Sequence, residues 1–140
     1  MIYLASPYTH LDTRIMEQRY QDTLDYMEYL MSRKRWAFSP IVHCHELAKK
    51  HYLPTDYSYW KQYNFHMLTR CDELYVLGIE GWRASKGVRA ELEFWDAFKH
   101  QGTVLWIQGT QRTGLTYETP LLIEMLDIEE TPNAASSRVS

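Results

Sequence analysis

Leu74-Tyr-Val-Leu-Gly78, followed closely by Gly81-Trp-Arg-Ala-Ser-Lys-Gly-Val-Arg-Ala-Glu-Leu-Glu-Phe-Trp95, is the stretch that decides the fold. The first run is apolar without alternation, as a strand buried on both faces is. The second carries Gly81 and Gly87 and then turns into an amphipathic helix, with Ser85 as its candidate N-cap. Strand, glycine-containing loop and helix start together make an anion-binding corner, because the free N–H groups of a helix N-terminus point at whatever sits there. Gly87 lets a ligand approach the backbone, and Lys86 or Arg89 is placed to neutralise a phosphate. Glu91 follows about one turn into the helix, where a carboxylate can face the same ligand. The corner is neither a Walker A loop nor a GxGxxG turn, and a plain capped surface helix fits the same residues.

Outward from this corner the chain alternates. Ile2 to Ala5 reads as a first strand, stopped by Ser6-Pro7-Tyr8, with Thr9 to Thr13 as a loop. Arg14 to Ser32 reads as a helix, with Ile15, Tyr20, Leu24, Met27 and Met31 near helical spacing. Trp36 to Ser39 is a second strand ended by Pro40, and Val42 to Lys50 a short helix. After the break at Leu53-Pro54-Thr55-Asp56, a helix capped by Asp56 or Ser58 runs to about Cys71. Beyond the Ser85 helix, which Gly102 closes, Thr103 to Ile107 is a fourth strand and Thr116 to Leu126 a last helix, its start restricted by Pro120. This predicts an α/β fold, a Rossmann-like three-layer sandwich with a four- to five-stranded parallel sheet. One domain over 1–130 and a flexible tail over 131–140 are expected. Ligands of such folds bind at the carboxyl ends of the strands. Here those ends are Ser6 to Tyr8, Ser39 to His43, and Gly78 to Gly87.

The 140 residues carry a formal charge of -3, which argues against a protein that coats nucleic acid. Two cysteines, Cys44 and Cys71, make neither a CxxC pair nor a disulfide framework. Met1 to Ala5 is too short and lacks the basic leader of a signal peptide, and no run approaches the ~20 apolar residues of a membrane helix. The expectation is a cytoplasmic protein with no membrane and no nucleic-acid polymer as partner. Aromatic residues make up 14%, and Tyr52, Tyr57, Tyr59, Trp60 and Tyr63 cluster with only Lys61 inside the segment. A reader of single strands interleaves more basic residues, so a core or a homo-oligomer contact is the expected use.

Three motifs in order, Tyr3-Leu-Ala-Ser-Pro-Tyr8, Arg70-Cys-Asp72 ahead of an apolar strand, and Ser85-x-Gly87-x3-Glu91, resemble the nucleoside 2-deoxyribosyltransferase superfamily. The loop is similar to that of its small bacterial and phage members and of the nucleoside 5′-monophosphate N-glycosidases. The resemblance covers most of residues 1–107. It implies that Glu91 attacks the sugar anomeric carbon, that Ser85 and Gly87 belong to the phosphate-side loop, and that Tyr3 or Tyr8 lies over the sugar and the carboxylate. It also implies Asp72 as the group that orients or protonates the leaving base, although Glu73 and Asp56 qualify on chemistry. Two carboxyl groups suit this reaction, one beneath the developing oxocarbenium ion and one near the base. The transferases place Asp-x-Gly-Thr before the glutamate. Here Ser85-Lys-Gly-Val88 removes a negative charge and adds a positive one, which favours a nucleotide over a nucleoside. Glu91-Leu-Glu-Phe-Trp95 is also bulkier than the small residues usual after the glutamate.

His43-Cys44-His45-Glu46 invites a metal reading, but lacks the second well-spaced pair that zinc requires, and no metal or cofactor is expected. His43, after a strand end, can line the cleft. The expected function is a hydrolase cleaving the N-glycosidic bond of a nucleotide or deoxynucleotide. A 2-deoxyribosyltransferase, a non-catalytic nucleotide-binding module and a structural oligomer, dimer or tetramer, are the alternatives.

Overall fold

The computed structural model describes residues 1–54, 57–99, 104–108, 115–117 and 119–127. Its strands are β1 (Ile2–Ala5), β2 (Ala37–Phe38), β3 (Glu73–Gly78), β4 (Val104–Gln108) and β5 (Leu115–Tyr117). The helices are α1 (Thr13–Ser32), α2 (Pro40–His51), α3 (Tyr57–Leu68), α4 (Lys86–Lys99) and α5 (Thr119–Glu124), with a 3-10 turn at Trp82–Ala84. The sheet order is β2-β1-β3-β4-β5. β1 pairs in parallel with both β2 and β3, and β3 in parallel with β4.

The α/β class and the open parallel sheet are as expected. The wholly parallel sheet is not. Three strands of four to six residues form its parallel centre, β2 adds two residues at one edge, and β5 runs antiparallel at the other, with Val104 opposite Tyr117. Thr116 and Tyr117, expected to start a helix, lie in β5 (Leu115-Thr-Tyr117). Its β-branched and aromatic residues extend instead, and the helix begins at Thr119, where Pro120 supplies a pre-set φ. Pro40 likewise opens a helix rather than merely ending a strand. Ser39 caps α2 by accepting from the Val42 N–H at 3.2 Å. Ser58 lies inside α3 and is no cap, while Asp56, Gly102 and the tail from 131 fall outside the described residues.

Successive strand residues point to opposite faces, and the core divides accordingly. On one face Tyr3, Ala5, Leu74 and Val76 pack with Leu68, Val88, Leu92, Trp95 and Leu122 from α3, α4 and α5. On the other, Ile2, Leu4, Tyr75 and Leu77 pack with Tyr26 and Leu30 of α1. Both faces of β3 are therefore covered, which is why its sequence shows no alternation. Truncating the fully buried Leu92 of α4 to alanine should cost roughly 2–5 kcal/mol.

The buried stripe of α1 is Met16, Arg19, Thr23, Tyr26 and Leu30, one residue away from the apolar set that periodicity selects. Ile15 and Met31 are exposed. Two polar side chains occupy the core-facing stripe because they hold the loop after β1. Arg19 donates to the carbonyls of Tyr8 (3.3 Å) and Thr9 (3.0 Å), and Thr23 is hydrogen-bonded to Ser6 at 3.2 Å. Among the described residues, no helix is long and apolar enough to cross a membrane.

Candidate functional site

β1 has β2 on one side and β3 on the other, so the chain leaves its carboxyl end in one direction and returns in the other. This is the switch point at which α/β sheets bind ligands. A cavity of about 50 Å³ lies there. Ser6, Tyr8 and Thr9 line it from the loop after β1, Cys44 and His45 from α2, Tyr57, Trp60 and Asn64 from α3. Ser85, Gly87 and Glu91 close it from the start of α4.

Glu91 is the chemical centre of this wall. Its side chain is 3% exposed and accepts a hydrogen bond from the hydroxyl of Tyr3, itself wholly buried. Burial pushes the Glu91 carboxyl up to about 8, and the Tyr3 hydrogen bond offsets only part of that. Burial, together with the Glu91 charge and hydrogen bond, raises the Tyr3 phenol well above its usual range, so it stays a donor. Burial and the same charge raise Tyr57. The Tyr57 hydroxyl and the Asn64 carbonyl oxygen are buried without a hydrogen-bond partner among the described residues. Polar atoms in that state are costly unless something satisfies them, and both residues line the cavity.

Local sequence explains the positions. Ser85 caps α4, its hydroxyl accepting from the Val88 N–H at 3.1 Å and its carbonyl from the Arg89 N–H at 3.1 Å. One turn later Glu91 projects towards Tyr3, while Glu93 is exposed and pairs with Arg89 at 3.6 Å. Gly87 has a packing use besides the expected one. A Cβ there would come within 2.8 Å of the Tyr57 ring, so the missing side chain admits that ring to the cavity wall. Gly81 has φ +91 and lies against the Arg19 guanidinium, which leaves no room for a side chain.

Of the residues singled out by sequence, Ser6, Tyr8, Ser85, Gly87 and Glu91 meet at the cavity, with Tyr3 bonded to Glu91. Pro7 is buried in the same loop but is not part of the cavity wall. Lys86 and His43 are exposed and do not line it either; His43 stacks on Tyr63 with centroids 6.1 Å apart. Asp72 stands just before β3, at the amino end of the sheet, where it pairs with the terminal amine of Met1 at 2.6 Å. Its side chain is 78% exposed and it is not in the cavity wall, because a residue preceding a parallel strand lies at the opposite end from the switch point. Arg89 is also turned away, donating to the Asp127 carbonyl at 2.5 Å.

The matching sequence comparison is a family model. It is that of the domain of unknown function DUF1937, and it covers residues 1–108. The chain belongs to the DUF1937 family. The matched span of this DUF1937 chain contains β1 to β4 and all the cavity residues. No curated protein matches the sequence.

Sequence reasoning missed His45, Tyr57, Trp60 and Asn64 as cavity residues. The Tyr52 to Tyr63 cluster held a signal for two of them. Tyr52 and Tyr59 face out, while Tyr57 and Trp60 reach the cavity, as residues three apart on one helix face can. Cys44 also lines the cavity, but burial pushes its thiol up to about 11 and keeps it protonated. Among the described residues no three His, Cys, Asp or Glu side chains gather as a metal site requires.

Proposed function

We propose that this protein hydrolyses the N-glycosidic bond of a nucleotide or deoxynucleotide, with Glu91 as the nucleophile. The observation that carries the reading is a buried carboxylate hydrogen-bonded to a buried tyrosine at the switch-point cavity of an α/β sheet. Cleavage of a glycosidic bond develops positive charge on the sugar, and a carboxylate held in a dry site stabilises it strongly. Such a site makes the charged form of Glu91 costly before the reaction and relieves that cost as the oxocarbenium ion forms. The Tyr3 hydroxyl fixes the attacking oxygen. The helix start at Ser85 and Gly87 supplies N–H groups for a phosphate, and Asn64 and Tyr57 offer unsatisfied polar atoms for the remainder of the ligand. The resemblance to the nucleoside 2-deoxyribosyltransferase superfamily and the Rossmann-like arrangement of the sheet support the same reading.

A cavity of about 50 Å³ has room for about three to five waters at the ~10–15 Å³ each needs, less than a nucleotide fills, so part of the wall moves when one binds. Water then attacks the glycosyl-Glu91 ester; a second base in its place makes the enzyme a transferase. One observation favours a non-catalytic nucleotide-binding module. With its carboxyl raised to about 8, Glu91 near pH 7 is largely a neutral hydrogen-bond donor suited to a ribose hydroxyl. Incubation with a panel of nucleoside 5′-monophosphates separates the two. Free base released by the wild type, and not by a Glu91→Ala variant that still binds, is the expected result; binding without release from any nucleotide supports the module. The exposed aromatics Trp36, Tyr59 and Tyr63 support a homo-oligomer, which sedimentation tests directly.

A further inference from the structure

We propose that Tyr8, His45 and Glu17 form a proton relay from solvent to the leaving base, with Tyr8 as the catalytic acid and Glu17 as a positioning residue. The proposal rests on the N-glycosidase reading of the same cavity. A departing base needs a proton, yet Asp72 lies at the far end of the sheet, and Glu91 is the sole carboxylate lining the cavity among the described residues. The proton must come from another group in the wall.

Tyr8 and His45 both line the cavity, and the Tyr8 hydroxyl is 2.6 Å from His45 Nδ1. The other ring nitrogen, Nε2, is 2.9 Å from a Glu17 carboxylate oxygen. Burial works against the charge on Glu17, but hydrogen bonds from His45 and Gln21 outweigh it and hold the carboxyl below its ordinary value. A carboxylate only accepts, so Nε2 carries the proton and the tautomer is fixed. Tyr20 stacks on the imidazole with centroids 4.0 Å apart and 16° between planes, which locks the ring orientation. The groups around His45 are thus Tyr8 from the β1 loop and Glu17 and Tyr20 from α1, with Lys49 of α2 4.0 Å from Glu17.

Exposure completes the relay. His45 is 4% exposed and Glu17 44%, so the chain of hydrogen bonds runs from the cavity to the surface, where water supplies protons. Tyr57 does not compete as the acid, since no group among the described residues is bonded to its hydroxyl to resupply it. When His45 carries two protons, Nδ1 donates to the Tyr8 oxygen and frees the Tyr8 proton to point at the ligand. As the sugar–base C–N bond breaks, its electron pair stays on the base nitrogen, which takes the Tyr8 proton. Tyr8 takes the His45 Nδ1 proton in turn. Glu91 forms the new bond to the anomeric carbon. When water later opens that ester, its proton returns through Tyr8 to His45, and the balance closes.

The test compares two leaving groups on one sugar phosphate: a natural base, which needs a proton, and 4-nitrophenol, which departs as an anion. Tyr8→Phe should lower kcat for the natural base by about 10²–10³-fold, the usual size of a general-acid effect, and for 4-nitrophenol by less than about 10-fold. Glu17→Gln, half-exposed and the safer variant for folding, should show the same pattern at about 10-fold and about 2-fold. Equal losses on both substrates, or none, would overturn the relay and leave the N-glycosidase reading intact. A wild type inert towards both substrates would overturn that reading, and the relay with it.

Discussion

Replacing Glu91 by glutamine makes its buried charge measurable without any substrate. The folded carboxyl titrates at about 8 against an ordinary value of 4.5. Between those limits the native state holds a proton that the unfolded chain has lost, so stability falls as pH rises. The gap of about 3.5 pH units, at about 1.4 kcal/mol each, amounts to on the order of 5 kcal/mol. Glutamine keeps an oxygen to accept the Tyr3 hydrogen bond and carries no charge. At pH 5 the variant and the wild type should be nearly equally stable; by pH 9 the variant should be more stable by several kcal/mol. At about 3–4 °C per kcal/mol for a domain of this size, the two melting temperatures should separate by 10 °C or more. Thermal melts of both proteins from pH 5 to 9 read this directly, because every other titration is common to the pair. Parallel curves over that range would refute the assignment of Glu91 as a buried, charge-strained carboxyl.

Tyr3→Phe removes a hydrogen bond to a carboxylate, worth about 1.5–3 kcal/mol to the ionised form. On the proposed mechanism ionised Glu91 is the reactive form, so kcat/KM for the 4-nitrophenol substrate, which needs no proton from the relay, should rise with pH through about 8 in the wild type. In the variant that limb should move up by about one to two pH units. Gly87→Ala brings a methyl group within 2.8 Å of the Tyr57 ring, and the overpacking should outweigh the gain in helix propensity. Urea denaturation should show a loss of about 1 kcal/mol, and a more stable variant would contradict the packing described. Asp72→Asn should leave base release unchanged, because Asp72 pairs with the chain terminus away from the cavity. A large loss of activity there would restore the acid that the sequence suggested.

Most of the layer order was legible in the sequence, because β1 and β3 are unbroken apolar runs ended by small residues or glycine, and Ser85 marks a helix start. What failed was the reading of polar residues in apolar stripes. Arg19 and Thr23 sit on the core face of α1 to hold the β1 loop, and a search for apolar periodicity passes over them. The tail end of the sheet failed for a second reason: three residues of β5 are too few to show a period, and only pairing with β4 makes them a strand. At the site, Glu91 was visible because a helix start carries its own signal, whereas Tyr3 entered only through the resemblance of the Tyr3 to Tyr8 motif. His45 was not, since its partners Tyr8 and Glu17 come from two other elements, and a short local motif cannot announce a contact 37 or 28 residues away. Asp72 came from its motif, although its place ahead of a parallel strand already sets it at the amino end of the sheet, away from the switch point.

On the proposed mechanism Glu91 forms a covalent bond to the sugar. Mass spectrometry of the protein after incubation with a 2-deoxy-2-fluoro nucleoside 5′-monophosphate, which slows breakdown of a glycosyl ester, tests it most directly. The expected result is the added mass of the fluorosugar phosphate on the peptide bearing Glu91, absent from Glu91→Gln. Base release with no adduct, or an adduct on another residue, would contradict it.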